Sequence, residues 1–304
     1  MMCMSTRERM IMASLIGLFV LSILLAQFNS KPSSTQRQSK SSSDLVAVIP
    51  IYGPIQLESP DFFQSSGIDG VRDQLTQAAN REDVKAVILR VNSPGGSVGS
   101  SQELFSTIQQ FKKETAKPVV VSIVDSGASG AYWISLAADH IVAQPGSLVG
   151  SLGVIIQVPD FTQVKEKYGV AFKTYKAGKM KDILNPWRSS TAEEDALIQT
   201  HLKDVHQQFV DVLKTQRSLT AAKAQQLADG RIFTGRKAKE LGLIDSLGGL
   251  DAAIIQAQIL ANLESVPSII YLQEASFRSL FRSFRMSMAN SFRPFLFNQG
   301  VLVR

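Results

Sequence analysis

The stretch from Val84 to Phe111 reads VKAVILRVNSPGGSVGSSQELFSTIQQF. Its first part is mostly apolar and rich in branched side chains, which is typical of a buried strand. From Ser97 onward the apolar residues Leu104, Ile108 and Phe111 recur at helical spacing. A Pro-Gly-Gly sequence separates the two patterns and marks a turn. The stretch therefore predicts a strand, a glycine-rich turn and a helix in succession.

The same alternation of strand and helix continues along the chain on both sides of this stretch. It predicts an α/β chain with largely parallel strands, on which the late helices form an arm or a cap. Strands are predicted at 45–51, 84–91, 119–124, 140–143 and 154–158, and helices at 67–79, 97–115, 129–138, 161–168 and 186–213, with further helical segments near Ala221, Gly235 and Leu250.

The composition is that of a globular chain with a substantial core. With 304 residues, 44% hydrophobic and 19% charged, it excludes a collagenous, a disulfide-stapled and a wholly disordered protein. The single cysteine, Cys3, excludes an intrachain disulfide and a cysteine-based zinc cluster. The three histidines leave little material for a histidine metal site, so we expect no metal and no cofactor.

The net charge of +6 is unevenly distributed. Residues 1–43 carry +4 and residues 275–304 carry +5, whereas residues 44–274 carry −3. Basic ends beside apolar sequence favour a membrane surface over nucleic acid as a partner.

A charge-free apolar segment, MIMASLIGLFVLSILLAQF, runs from Met10 to Phe28 after a short segment at 1–9. As a helix it would be about 28 Å long, which is close to the hydrocarbon thickness of a bilayer. A cleaved signal peptide is the alternative, but residues 25–28 offer no clear small-x-small cleavage site. We therefore expect an uncleaved single-pass anchor in the plasma (inner) membrane, a flexible Ser-rich tether at 29–43 and a domain at 44–274.

The positive charges on both sides of the anchor do not decide its orientation in the membrane. A short N-terminus before a long domain places that domain on the extracytoplasmic, periplasmic side.

The C-terminal tail, residues 275–304, is basic and amphipathic. Phenylalanines, a leucine and a methionine recur there at helical spacing, with arginines mostly on the other face. Three interpretations remain open: a helix that packs on a neighbouring subunit, a lipid-binding surface and an unstructured tail.

Two glycine-rich loops, 93–97 and 126–131, each follow an apolar strand and lead into a helix. The free N–H groups of such a helix start suit a phosphate or a developing oxyanion. Neither loop has the Gly-Lys-Ser/Thr of a P-loop or a complete G-x-G-x-x-G. Tight turns without a ligand are the alternative for each loop.

Ser129 is the candidate nucleophile, because it lies at a strand-to-helix turn between small residues; a helix-capping serine is the alternative. It needs a base, and the histidines are poorly placed for that role. His140 begins an apolar strand, while His201 and His206 lie on a charged helix. Lys181, in the sequence AGKMKDI, could serve if desolvation keeps its amine neutral.

These segments together resemble signal peptide peptidases of the SppA type, from about residue 45 to 262. The segments that carry the resemblance, in order along the chain, are 92–96 (NSPGG), 126–135 (SGASGAYWIS), 150–154 (GSLGV), 181–183 (KDI), 229–235 (DGRIFTG) and 238–245 (AKELGLID). Ala131 and Trp133 stand where the family often has Gly and Tyr, which bears on the shape of the pocket more than on the chemistry.

The resemblance implies a Clp-protease/crotonase fold of repeated ββα units and a serine peptidase with a Ser–Lys dyad. It assigns the nucleophile to Ser129, the general base to Lys181 and a lysine-orienting hydroxyl to Ser151. The backbone N–H groups of Gly96 and Gly130 are assigned to the oxyanion hole.

The resemblance also implies the setting in which this chemistry takes place. The substrates would be remnant signal peptides and other apolar polypeptides at a membrane, cleaved without a cofactor. The subunits would form ring-like homo-oligomers and could complete each other's sites. Two rival functions remain at this stage, a crotonase-like acyl-CoA enzyme and a non-catalytic membrane scaffold.

Overall fold

The structure, a computed structural model, describes residues 44–57 and 67–272. Cys3, the segment at 1–9, the predicted anchor at 10–28, the tether at 29–43 and the tail at 275–304 lie outside these residues. Within the two described ranges, none of the helices combines the length and the apolar character that a membrane span requires.

The described residues form eight strands and eight helices, and most of them lie where the sequence pattern predicts them. The strands are β1 (Leu45–Tyr52), β2 (Val84–Ser93), β3 (Val119–Ala128), β4 (His140–Ala143), β5 (Leu148–Gly150), β6 (Ile232–Thr234), β7 (Ser246–Leu247) and β8 (Ser268–Tyr271). The helices are α1 (Ile68–Ala79), α2 (Val98–Thr115), α3 (Gly130–Ser135), α4 (Thr162–Tyr168), α5 (Ala192–Gln216), α6 (Ala221–Leu227), α7 (Gly235–Glu240) and α8 (Leu250–Leu260).

The strands form one mixed sheet in the order β6-β5-β3-β2-β1-β8, in which only the β5–β6 pair is antiparallel among the described strands. The long strand β3 divides its pairing, since residues 120–123 pair with β4 and residues 126–128 pair with β5. Beyond β4 lies β7. The C-terminal end of β3 therefore pairs with β5 instead of β4, and the candidate nucleophile, Ser129, follows it directly.

Helices cover both faces of this sheet. Along β1 the side chains alternate, with Ala47, Ile49 and Ile51 in the larger core cluster and Val46 and Val48 in the smaller one. The larger cluster includes residues of α1, α2, α3 and α5, and the smaller one includes residues of α8. This mixed α/β arrangement fits the Clp-protease-like fold that the resemblance implies. Of the late helices expected as an arm or a cap, α8 packs on the sheet, whereas α5 packs on α3.

Three features differ from the expectation. The strand predicted at 154–158 is wrong, because these residues form no ladder and most of them are exposed. Strands β5 to β8 were not predicted; they are two to four residues long, too short for a local pattern to reveal them. The elements also do not repeat as regular ββα units, since strands and helices alternate singly from β1 to α3.

The longest irregular segment, residues 153–191, is called the arm below. It contains no buried residue and only one helix, α4. It does contain large apolar side chains at the surface, among them Ile155 at 85% exposure and Tyr175 at 81% exposure. Such a segment lacks a core of its own.

Candidate active site

Ser129 lies at the sharp turn between β3 and α3. Its backbone has φ 53° and ψ −124°, a conformation that a residue with a side chain rarely adopts. Hydrogen bonds hold it there: the Ser129 N–H donates to Gly150 O at 2.7 Å, and Ser129 O accepts from Tyr132 N and Trp133 N at 2.9 Å each. The Ser129 side chain is half-buried. These hydrogen bonds fix the strained backbone that carries the Ser129 hydroxyl.

The loop after β2 packs directly against this turn, and glycine makes the close approach possible. Gly95 has φ +98°, and a Cβ atom added there would lie 2.8 Å from Ser129 Cβ and 2.8 Å from Gly130 N. The Gly95 N–H donates to Ser93 Oγ at 3.1 Å, which holds the loop in place. The two glycine-rich loops predicted separately from sequence therefore form one site.

Two backbone N–H groups beside Ser129 are available to a ligand. Within the described residues, neither Gly96 N nor Gly130 N donates a hydrogen bond to a protein acceptor. The two groups are neighbours, because a Cβ atom added to Gly130 would lie 3.3 Å from Gly96 N. Unpaired N–H groups next to a serine hydroxyl are the arrangement that stabilises an oxyanion. The same added Cβ would lie 2.2 Å from Ser101 Oγ, a buried contact that sequence reasoning missed.

Ser151 lies beside Ser129. Residue 150 pairs with Ala128 across the sheet, and its carbonyl is the acceptor for the Ser129 N–H. Ser151 has φ 52°, and its N–H donates to Arg231 O at 2.8 Å. Its hydroxyl has no hydrogen-bond partner among the described residues, so it is free to bind an incoming group.

Lys181 lies on the arm, in consecutive turns that span residues 179–184. Its side chain is exposed and makes no hydrogen bond or ion pair with any described residue. The structure therefore brings together Ser129, Ser151, Gly96 and Gly130, and it does not join Lys181 to them by a hydrogen bond.

An ionic cluster that the sequence analysis did not single out adjoins Lys181. Arg188 donates from Nε to Asp182 Oδ2 at 2.9 Å and from Nη1 to Glu194 Oε2 at 2.9 Å. Hydrogen bonds from Arg188 and then from Lys176 lower the pKa of Asp182, and a hydrogen bond from Arg188 is the main cause that lowers the pKa of Glu194 to about 2. The sequence signal that was available is Thr191-x-x-Glu194, the pattern of a helix capping box.

Two of the three histidines have hydrogen-bond partners away from Ser129. His140 Nε2 lies 2.8 Å from Ser246 Oγ, and burial lowers its pKa although the nearby Asp245 opposes that shift. His206 Nε2 lies 2.5 Å from Ala228 O, and His201 is exposed. No contact in the described ranges joins any of them to Ser129. In the same part of the chain, no three His, Cys, Asp or Glu residues are grouped so that they could hold a metal ion.

The geometry is that of an α/β protein whose candidate nucleophile is a serine, and several known proteins are similar to it in sequence. The model of peptidase family S49 matches residues 111–264, about half of the chain. "Putative protease slr0021" of Synechocystis is 38% identical over 198 residues, which cover 64% of this chain and 71% of that protein. "Putative signal peptide peptidase SppA" of Enterococcus faecium is 36% identical over 60% of this chain and 52% of that protein.

A plant protein is also similar: "Serine protease SPPA, chloroplastic" of Arabidopsis thaliana is 32% identical over 72% of this chain and 33% of that protein. The chain thus spans about half of the E. faecium relative and a third of the plant relative. The chain belongs to peptidase family S49, and as a member of that family it is a serine protease. This confirms the resemblance to SppA-type peptidases. It also argues against the rival interpretation as a crotonase-like acyl-CoA enzyme, because the matching family is a family of peptidases.

Proposed function

We propose that this chain is a membrane-anchored endopeptidase that degrades remnant signal peptides, and other apolar polypeptides, through an acyl-enzyme. One observation carries the proposal: a strained, half-buried Ser129 lies beside the unpaired N–H groups of Gly96 and Gly130. The substrate class rests on the name of the E. faecium relative and on the apolar segment at 10–28 of this chain.

In the proposed reaction, Ser129 Oγ attacks the scissile carbonyl carbon while Lys181 Nζ accepts the hydroxyl proton. The carbonyl oxygen becomes an oxyanion and accepts hydrogen bonds from Gly96 N and Gly130 N. The C–N bond then breaks, and the Lys181 ammonium protonates the leaving amine. Water, deprotonated by the same lysine, hydrolyses the ester on Ser129. Ser151 Oγ orients Lys181 throughout this cycle.

Lys181 is proposed to reach Ser129 from the arm of a second copy. Within one chain Lys181 is exposed, whereas a lysine base needs contacts that exclude water and keep its amine neutral. The arm contains no buried residue but exposes large apolar side chains, so it has surface that a second copy could cover. The free hydroxyl of Ser151 offers the arriving amine a hydrogen-bond acceptor. These observations support a ring-like homo-oligomer as the active form.

The test uses the full chain in detergent with a quenched fluorescent signal peptide as substrate. Ser129→Ala and Lys181→Arg should each abolish turnover, because a guanidinium does not release its proton near neutral pH. When the two inactive variants are unfolded, mixed in equal amounts and refolded together, about a quarter of the wild-type activity should return. A site is then active only when its Ser129 comes from a Lys181→Arg copy and its Lys181 from a Ser129→Ala copy, and random assembly gives this combination at about one site in four. Full activity of either single variant would refute the proposed chemistry, and a mixture that stays inactive would refute catalysis between copies.

The membrane location is proposed from the sequence alone, with residues 10–28 as the anchor and the peptidase domain outside the cytoplasm. The full chain should remain in the membrane pellet after extraction with alkaline carbonate. A chain without residues 1–28 should be released more readily, and any remaining attachment would then be assigned to the basic tail at 275–304. Release of the full chain would contradict the anchor.

A further inference from the structure

We propose that Arg188 is a positioning residue that holds the turn bearing Lys181 in its catalytic orientation. The inference rests on the proposed function, because it takes Lys181 as the base. Arg188 lies seven positions along the chain from Lys181, and its guanidinium joins the residue next to Lys181 to the first turn of α5.

The Lys181 turn needs such an attachment because packing does not hold it. No residue from 153 to 193 is buried, so no core side chain fixes its position. Inside the turn, weak backbone hydrogen bonds connect Lys181 N to Gly178 O at 3.2 Å and Ile183 N to Met180 O at 3.1 Å. These bonds shape the turn but do not connect it to the rest of the protein.

Arg188 supplies that connection through both edges of its guanidinium. It donates from Nε and Nη2 to the two carboxylate oxygens of Asp182, at 2.9 and 3.0 Å, and from Nη2 to the Asp182 carbonyl oxygen at 3.0 Å. It donates from Nη1 and Nη2 to the two oxygens of Glu194, at 2.9 and 2.5 Å. A planar guanidinium that meets two carboxylates in this way defines an orientation as well as a distance.

Glu194 in turn belongs to a rigid element. It is the third residue of α5, its side chain is 5% exposed, and it forms a capping box with Thr191. Fifteen residues further along α5, roughly 22 Å away, Phe209 is buried against Trp133 with ring centroids 4.5 Å apart. Trp133 lies on α3, the helix that begins after Ser129. We call the contacts of Arg188 with Asp182 and Glu194 the clamp. The clamp connects the turn that carries Lys181, through α5, to the packed part of the chain.

A second ion pair on the same arm provides a matched control for the effect of the clamp. Lys179 forms an ion pair with Glu193, which also lies in the first turn of α5, but the two side chains are 74% and 58% exposed. This pair joins the same turn to the same helix without a bidentate contact. Removing it should matter little, because exposed single ion pairs stabilise weakly.

The experiment compares Arg188→Met with Lys179→Met in the full-length protein, using a fluorogenic peptide. We expect Arg188→Met to lower kcat by about tenfold to a hundredfold, the scale of a misplaced catalytic group, with KM changed by less than about twofold. Arg188→Lys should be impaired nearly as much, because an ammonium keeps the charge but lacks the planar fork. Lys179→Met should keep the wild-type kcat. Circular dichroism and the oligomer mass would verify that each variant is folded and assembled.

Two results would overturn the positioning role: a kcat for Arg188→Met equal to that of Lys179→Met, or full recovery in Arg188→Lys. If Arg188→Met does not fold, Asp182→Asn tests the same connection, because it weakens the link to the turn and leaves the bonds between Arg188 and Glu194. Asp182→Asn should then lower kcat, and an unchanged kcat would refute the clamp. Failure of the proposed function is separate, since active Ser129→Ala or Lys181→Arg would reveal it.

Discussion

The main-chain N–H of Ser129 donates a hydrogen bond of 2.7 Å to the carbonyl oxygen of Gly150. This bond joins the end of β3 to the end of β5, where Ser151 follows. The two serines lie 22 positions apart in the chain, and the bond makes them neighbours in one site. A change at Ser151 should therefore affect the chemistry at Ser129.

Replacement of Ser151 by Ala should lower kcat while leaving the protein folded. Its hydroxyl bonds no described protein group, so its loss breaks no contact of the isolated chain. A hydrogen bond to the ammonium that forms on Lys181 during the reaction contributes about 1.5–3 kcal/mol, which corresponds to a loss of about tenfold to a hundredfold in kcat. Steady-state kinetics would measure it, with Ser106→Ala on the exposed side of α2 as the control. Equal kcat values for the two variants would exclude a role for Ser151.

Replacement of Gly130 by Ala should abolish most of the activity. The new Cβ would lie 2.2 Å from Ser101 Oγ and 3.3 Å from Gly96 N, so the two oxyanion donors cannot keep their positions. Loss of one such donor lowers kcat by about a hundredfold or more. Gly99→Ala is the control, because no atom lies within 4 Å of the Cβ that this substitution adds.

A second change tests the steric reason for this effect. Ser101→Ala in the Gly130→Ala chain removes the closest atom and should restore part of the lost kcat. A double variant as inactive as Gly130→Ala alone would indicate that the clash with Ser101 is not the cause.

The Arg217–Asp245 pair should stabilise the fold in a pH-dependent way. Arg217 donates to both Asp245 oxygens, at 3.0 and 2.8 Å, and to Gly242 O at 2.7 Å. Burial alone would raise the pKa of Asp245, but hydrogen bonds from Arg217 and from Ile141 N outweigh burial and lower that pKa below 3.8. Because the pKa is lower in the folded state, the stabilisation is present above pH 3.8 and is lost as the pH falls further.

Urea unfolding of Arg217→Met should therefore give a free energy of unfolding about 2–3 kcal/mol below that of the wild type near pH 7. The difference between the two proteins should shrink when the pH falls below about 4. A difference that stays constant from pH 7 to pH 3 would mean that Asp245 does not carry the effect.

Lys117 should stabilise the C-terminal end of α1. Its Nζ donates to the carbonyl oxygens of Ala78, Ala79 and Arg81, at 2.7, 3.2 and 2.8 Å. A lysine that binds the last carbonyls of a helix satisfies acceptors that lack partners and also opposes the helix dipole.

Thermal or urea unfolding of Lys117→Met should show a loss of about 1–2 kcal/mol. The exposed Lys113, on the last turn of α2, provides the control as Lys113→Met and should change stability by less than about 0.5 kcal/mol. Activity at a temperature where both variants are folded should stay near that of the wild type. Equal stability of the two variants would contradict the capping role.

The amino-acid sequence was sufficient to predict the elements that have strong local patterns. Strands β1 to β4 and helices α1, α2, α5 and α8 lie near their predicted positions, because each is long enough, or apolar enough, for its side-chain period to be read. The prediction from the local pattern failed at 154–158, because this apolar run pairs with no other strand and lies in the irregular arm. It also failed for β5, a three-residue strand that pairs with β3 on one side and with β6 on the other.

By itself, then, the sequence determined the α/β class, the strand-to-helix turn at Ser129 and the glycine-rich loops, since these depend on residues close together in the chain. Only the tertiary structure gave the contacts that place the loop of Gly96 and the residue before Ser151 against the Ser129 turn, and the contacts by which Arg188 joins Asp182 to Glu194. Those relationships arise from strand pairing and from hydrogen bonds between distant segments. Their geometry depends on how the whole sheet and its helices pack, which no local periodicity encodes.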